Sequence, residues 1–211
     1  MKRIEIEKAV DLIQDGMSIM VGGFMGVGAP HRLIDALIEA KKKDLTIICN
    51  DTGFVDYGSG KMIANKMVKK VIASHIGTNP ITGDMMISGE MEVELIPQGT
   101  LIERIRCGGA GIGGFLTKTG LGTIVQEGKQ IINVDGEDYL LEKPLRADVA
   151  IIGASEADKY GNLIFRGTTK NFNPIIATAA DLVIAEATEQ VETIPPHHIH
   201  VPYLFIDYII K

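Results

Sequence analysis

The sequence predicts an α/β fold: an open, mostly parallel sheet covered by helices, with a small β-rich insertion. Three observations carry that expectation. Short apolar runs of strand character alternate with amphipathic helical stretches over about the first hundred residues, with short loops between them. A glycine-rich stretch without any period follows, and then a group of short strand-like segments. Strand–helix alternation resumes near the end. The expected organisation is one domain over residues 1–211, with the insertion at about 107–142.

The strand-like runs lie at Ser18–Val21, Leu45–Cys49, Val71–Ala73 and Glu92–Ile96. Between the first two, Pro30–Lys42 carries Leu33, Ile34, Leu37 and Ile38 on one stripe, with lysines at its C-terminal end. Pro30 suits a first helical turn, where its missing N–H is not needed. A weaker helix is expected over about Lys61–Met67, with Met62, Ile63 and Met67 turned inward. Thr100-Leu101-Ile102-Glu103 has the spacing of a capping box, and Leu101, Ile102 and Ile105 continue as a stripe. Cys107–Gly122 is glycine-rich and aperiodic. Thr123–Glu142 reads as short antiparallel strands with Asp135-Gly136 as a two-residue hairpin turn. Asp148–Ala154 is expected as a buried strand, Asn162–Phe165 as a short one, Asn173–Ala180 as a helix and Leu182–Glu186 as another strand. No linker, low-complexity tract or internal repeat is found.

Composition removes several classes. Apolar residues make up 45% and charged residues 23%, which is ordinary for a globular chain. A net charge of −6 gives no support for nucleic-acid binding, which uses a basic face. No apolar run reaches the roughly 18 residues that span a bilayer. The charged start, Met1-Lys2-Arg3-Ile4-Glu5, leads into an amphipathic segment rather than a signal peptide. Cys49 and Cys107 do not form a disulfide framework, so a reducing, cytoplasmic location is expected. Glycine is abundant, at 24 residues, and points to loops with a backbone task.

Two glycine-rich stretches stand out. In Asp15–Pro30 a buried strand runs into Gly22-Gly23-Phe24-Met25-Gly26-Val27-Gly28 and opens a helix. Off the carboxyl end of a strand in an open α/β sheet, such a loop suits an anionic ligand, with free N–H groups at the helix start facing it. A tight strand–helix turn with no ligand fits the glycines about equally well. A dinucleotide fingerprint fails here, because His31 stands where the third glycine belongs. Gly109-Ala110-Gly111-Ile112-Gly113-Gly114 matches those letters, but it follows a helix and leads into none. A Walker A loop is absent.

Asp15-Gly16, Ile19–Val21, Gly22-Gly23-Phe24, Gly28 and Pro30 together resemble the signature of the 3-oxoacid CoA-transferase family, alpha subunit. The resemblance runs on through Ser74–Pro80, Ile87–Glu90, Pro97–Glu103, Cys107–Gly122 and Lys170-Asn171-Phe172-Asn173-Pro174, and so covers nearly the whole chain. It looks closest to the alpha subunits of bacterial acetate/butyrate–acetoacetate CoA-transferases. Thr117-Lys118-Thr119-Gly120 and Val201-Pro202-Tyr203 depart from the family pattern, away from any residue assigned to chemistry.

The resemblance implies that CoA moves from an acyl-CoA to a second carboxylic acid through covalent intermediates on a glutamate. That glutamate belongs to a Ser-Glu-Asn-Gly-like stretch, which this chain lacks; its nearest string, Ser155-Glu156-Ala157, has no glycine elbow. The nucleophile is therefore expected on a beta subunit, in an assembly of two copies of each chain. Gln98 is implied to contact the thioester oxygen as charge develops, and Gly22–Gly28 to line the CoA site. Coenzyme A enters as substrate, with no permanently bound cofactor and no metal. Among acids, acetate, butyrate and acetoacetate fit best, with succinate and 3-oxoadipate left open.

Other residues have plainer explanations. Gln98 also fits a surface turn. Glu103 is explained by the capping box and Glu90 by a structural or subunit contact. Cys107 reads as a small buried thiol. His197, His198 and His200, flanked by prolines and without a carboxylate at ligand spacing, read as a solvated loop rather than a metal site. Two further functions compete: a stand-alone sugar-phosphate isomerase or deaminase of similar architecture, and a non-catalytic acyl-CoA-binding protein.

Overall fold

Alternate residues of the central strands face opposite ways, and both faces are buried. Ile19, Val21, Ile47, Val71, Val149 and Ile151 point into one apolar layer. Met20, Ile48, Ile72, Ala150 and Ile152 point into another. A sheet buried on both sides must be covered by helices on both sides, and the computed structural model, which describes residues 2–211, shows that arrangement.

The strands are β1 (Lys2–Ile4), β2 (Ser18–Val21), β3 (Leu45–Ile48), β4 (Val68–Ala73), β5 (Glu92–Leu95), β6 (Phe115–Thr117), β7 (Ile131–Val134), β8 (Glu137–Glu142), β9 (Ala147–Ala157), β10 (Leu163–Ile164), β11 (Ala180–Gln190) and β12 (Tyr208–Ile210). The helices are α1 (Ile6–Leu12), α2 (His31–Glu39), α3 (Ser59–Ala64), α4 (Pro80–Ser88), α5 (Gln98–Ala110) and α6 (Asn173–Ile176). The main sheet has the order β1-β12-β11-β9-β2-β3-β4-β5, with β10 paired to β9. Every pair along that order is parallel; only β10 runs antiparallel. α1 to α3 and the inner side of α4 pack on one face through Ala9, Leu33, Leu37, Met62 and Met85. α5 and α6 cover the other through Leu101, Ile105 and Ile176.

From β2 the sheet grows one way through β3, β4 and β5, and from β9 the other way through β11 and β12. The carboxyl ends of β2 and β9 therefore flank the topological switch point, where open α/β sheets place their ligand crevice. A second, three-stranded antiparallel sheet, β6-β8-β7, lies at 115–142 in the chain. Asp135-Gly136 makes its two-residue hairpin turn, as the sequence indicates.

Three sequence expectations need correction. α5 begins at Gln98, after Pro97, with no side-chain cap. Thr100 is thus inside the first turn, its hydroxyl buried without a partner among the described residues, and Glu103 pairs with Arg106 at 2.8 Å. The capping box does not form, because the helix already begins at Gln98, two residues before Thr100. α5 also runs on into the glycine stretch. Gly108 and Gly109 allow close packing, since a Cβ would come within 2.2 Å of the Leu145 carbonyl oxygen and 2.0 Å of the Thr178 hydroxyl. Finally, the expected helix at Asn173–Ala180 is only α6, and Ala180 already opens β11.

Candidate active site

β2 ends at Val21 and the chain turns out into a tongue. Phe24 N donates to the Val27 carbonyl at 3.0 Å and Val27 N to that of Phe24 at 2.9 Å, leaving Met25-Gly26 as the tip. Both tip residues have positive φ, 51° and 80°. A second tongue follows β3, where Phe54 and Tyr57 pair in the same manner. The two share the spacing Gly-Phe-x-x-x-Gly, at Gly23–Gly28 and Gly53–Gly58. That short echo is a local likeness between the two turns. The tongues lie against each other: a Cβ on Gly26 would stand 2.1 Å from the Tyr57 ring. Their outer surface is apolar, with Phe24 and Phe54 each 45% exposed.

The base of the first tongue is clamped by two asparagines from the far end of the chain. Asn171 accepts from Gly23 N at 3.2 Å and donates to the Val27 carbonyl at 2.9 Å. Asn173, fully buried, donates to the carbonyls of Gly28 at 2.9 Å and Thr169 at 2.8 Å. These bonds give a structural task to the Asn171-Phe172-Asn173 stretch. Gly22, Gly23 and Gly26 are buried, so the surface this loop offers a ligand is Phe24, Met25, Val27 and Gly28.

The expectation of free amides at the start of α2 is not met. Glu186, on β11, accepts from Arg32 N at 3.2 Å and Leu33 N at 2.9 Å, so a carboxylate of the protein itself occupies the anion-favouring end of that helix. Beside it, at the switch point, lies a cleft of about 260 Å³ lined by Gly28, His31, Tyr57, Ser155, Thr169 and Glu186. The His31 and Tyr57 rings lie with centroids 4.3 Å apart.

On the other side of the tongues stands Gln98, exposed, as the first residue of α5 after β5. Its Nε2 donates to Asn50 Oδ1 at 2.6 Å. Asn50 Nδ2 donates to Asp51 Oδ2 at 2.7 Å. Asp51 in turn accepts from Met25 N at 3.0 Å and from Gly53 N at 2.8 Å. The structure thus brings Gln98 together with the tip of the glycine loop through Asn50 and Asp51, both buried and neither singled out from sequence. Their only sequence signal is position, immediately after β3 and before the second tongue. A primary amide carries two N–H donors; with one on Asn50, Gln98 keeps the other, beside the positive end of a helix.

The remaining candidates take the plainer roles. Cys107 is fully buried. Burial, then the nearby Asp51 carboxylate, pushes the Cys49 thiol far above its ordinary range, with only a Ser59 hydrogen bond opposing. Glu90 pairs with Lys66 at 3.2 Å. Ser155-Glu156 lies within β9 rather than after a strand, and Glu156 pairs with Arg166. His197 and His198 are exposed, and His200 Nδ1 accepts from Phe165 N at 3.0 Å. Among the described residues, no His, Cys, Asp or Glu group is arranged to hold a metal ion, and no helix is long and apolar enough to cross a membrane.

Comparison with known proteins gives the same picture from another direction. Residues 3–211 match the family model described as Coenzyme A transferase. The chain is 58% identical over 211 residues to the acetate CoA-transferase subunit alpha of Escherichia coli K12, covering 99% of this chain and 96% of that one. It is 52% identical over 212 residues to the acetoacetyl-CoA:acetate/butyrate CoA transferase alpha subunit of Clostridium acetobutylicum, covering 100% and 97%. Among solved structures, an acyl-CoA transferase of Escherichia coli O157:H7 in thioester complex with CoA superposes with a TM-score of 0.88 at 24% identity, over 98% of this chain and 46% of that one. Glutaconate coenzyme A-transferase of Acidaminococcus fermentans superposes with a TM-score of 0.85 at 18% identity, over 100% and 75%. The last two speak for the fold alone; the family model and the relatives speak for descent, and with a switch-point glycine tongue and an amide held beside it, the chain belongs to the coenzyme A transferase family.

Proposed function

We propose that this chain is the alpha subunit of a cytoplasmic enzyme that moves CoA from a short-chain acyl-CoA or acetoacetyl-CoA to a carboxylic acid such as acetate or butyrate. It works with a beta subunit, in an assembly of two copies of each. The names of the relatives support the substrates and the partner. The partner supplies the glutamate nucleophile, a division supported by the names of the relatives as alpha subunits and by the lack of a Ser-Glu-Asn-Gly-like stretch in this chain.

The observation that carries the reading is the hydrogen bond from Gln98 to Asn50, which leaves the second Gln98 N–H free and links it through Asn50 and Asp51 to the tongue tip. Attack of the partner's glutamate on the acyl-CoA carbonyl makes a tetrahedral oxyanion, which Gln98 stabilises. Collapse expels CoA thiolate and leaves an acyl-glutamyl anhydride. The thiolate then attacks the glutamyl carbonyl, releasing the first acid and forming a glutamyl-CoA thioester. The second acid attacks that thioester, and the same steps in reverse return the glutamate. Splitting one exchange into such steps is the gain of nucleophilic catalysis. Phe24, Met25, Val27 and Gly28 form the CoA-facing surface on this subunit, with Gly22, Gly23 and Gly26 setting its shape.

The test is steady-state kinetics on the chain co-purified with its partner, using acetate and acetoacetyl-CoA. Gln98→Ala is expected to lower kcat by roughly 10²–10³ without preventing assembly, as loss of an oxyanion donor does. Gln98→Glu is expected to be at least as harmful, because it sets an anion beside a forming anion. Near-normal kcat in both assembled variants, or turnover by this chain alone, would overturn the reading. The isomerase alternative, which works as a single chain, is not supported by a family match over residues 3–211.

A further inference from the structure

Asp51 is only 4% exposed, yet what surrounds its carboxylate is N–H rather than cation. Oδ1 accepts from Gly53 N at 2.8 Å and Met25 N at 3.1 Å. Oδ2 accepts from Met25 N at 3.0 Å and Asn50 Nδ2 at 2.7 Å. Burying a carboxylate is costly unless hydrogen bonds compensate it. A local turn explains the bond to Gly53, two residues on. It does not explain the other two donors, one of which comes from the first tongue, 26 residues away.

The direction of these bonds matters. An ionised carboxylate only accepts. Asn50 must therefore turn its NH2 toward Asp51, which leaves its carbonyl oxygen facing Gln98. Gln98 must then offer its NH2 rather than its own oxygen, as the 2.6 Å contact shows. With Asp51 removed, the Asn50 amide is free to turn over, and Gln98 with it, which would aim an oxygen at a developing negative charge. We infer that Asp51 is a positioning residue for acyl transfer: it pins the tongue tip through Met25 and, through Asn50, fixes which end of the Gln98 amide faces the thioester. This rests on the reading of Gln98 as the oxyanion donor.

The experiment is a double-mutant cycle on the assembled enzyme with acetoacetyl-CoA and acetate. Asn50→Ala is expected to lower kcat about 10-fold or more, with KM for the thioester within about twofold, because the interaction strengthens only in the transition state. Asp51→Ala, which also frees Met25 on the CoA-facing tongue, is expected to lower kcat at least as much and to raise that KM as well. Asp51→Asn keeps one acceptor oxygen for the backbone amides and is expected to fall between wild type and Asp51→Ala. In a Gln98→Ala background, Asn50→Ala is expected to cost less than about twofold in kcat, since residues acting through one group are not additive. Asn50→Ala leaves the bonds from Met25 and Gly53 to Asp51 in place, so it decides the matter if Asp51→Ala does not assemble. Full additivity with Gln98→Ala, or unchanged kcat in Asn50→Ala, would overturn the proposal. A normal kcat in the single Gln98→Ala variant would identify the Gln98 reading itself as the failure and remove the proposal with it.

Discussion

Glu186 accepts from the backbone amide of Leu33 at 2.9 Å, so a strand side chain caps a helix that lies 153 residues away in the chain. α2 is preceded by Pro30, which offers no capping side chain, and the carboxylate supplies that function from β11. It satisfies two otherwise orphaned donors and complements the helix dipole.

Glu186→Ala is therefore expected to lower stability by about 0.5–2 kcal/mol, the range for loss of an N-cap. Glu186→Gln keeps an acceptor oxygen and is expected to lose less, chiefly the charge–dipole part, about 0.3–1 kcal/mol. Urea unfolding at pH 7 measures both. Equal midpoints for wild type and Glu186→Ala would show that the cap contributes nothing.

Gly26 offers a test of whether the tongue is shaped by packing or by a ligand. From the family resemblance, a side chain here is expected to weaken CoA use more than folding. The structure gives a folding cost as well: φ is 80°, and a Cβ would meet the Tyr57 ring at 2.1 Å. Gly26→Ala is expected to lose about 1–3 kcal/mol, the usual cost of a non-glycine residue in such a conformation. Adding Tyr57→Ala removes the steric part and is expected to return some of the midpoint, but not the backbone part. A thermal midpoint unchanged by Gly26→Ala, with a raised KM for the thioester, would return the loop to a ligand-contact role alone.

Asp158 predicts the acid limb of stability. Burial pushes its carboxyl up, but hydrogen bonds from Asn162, Gly161 and Ile194 outweigh this and hold it below the ordinary carboxylate value. A group whose folded pKa is depressed gives stability that is fully present above the unfolded value, about 3.9, and is lost as pH falls through the folded one. Wild type is thus expected to lose stability steeply from about pH 4 downward. Asp158→Asn is expected to be less stable at pH 7, where its amide sets donors against donors, and to show a shallower acid limb. Urea midpoints at pH 7, 5, 4 and 3 measure this. Parallel curves for the two proteins would rule out Asp158 as a contributor.

What the sequence determined by itself was whatever neighbouring residues encode. The apolar runs of β2 and β3, the stripe Leu33-Ile34-Leu37 of α2 and the Asp135-Gly136 hairpin were legible because period and turn chemistry are local. The glycine-rich loop after β2 was legible as a loop, whereas Gln98 came forward only through the family resemblance. α4 escaped despite Pro80 at its start and a left-handed Gly89 at its end, because Gly83 and an exposed Ile87 leave it no apolar stripe. β1 and β12 escaped because strands of three residues carry too little alternation. Only the tertiary structure decided that Glu186 fills the anion end of α2, that Asn171 and Asn173 clamp the first tongue, and that Asp51 and Asn50 join its tip to Gln98. Each of these is a polar side chain whose partner lies far along the chain. Such a residue leaves no periodic trace in sequence, and its role is set by the register in which parallel strands bring their carboxyl ends together.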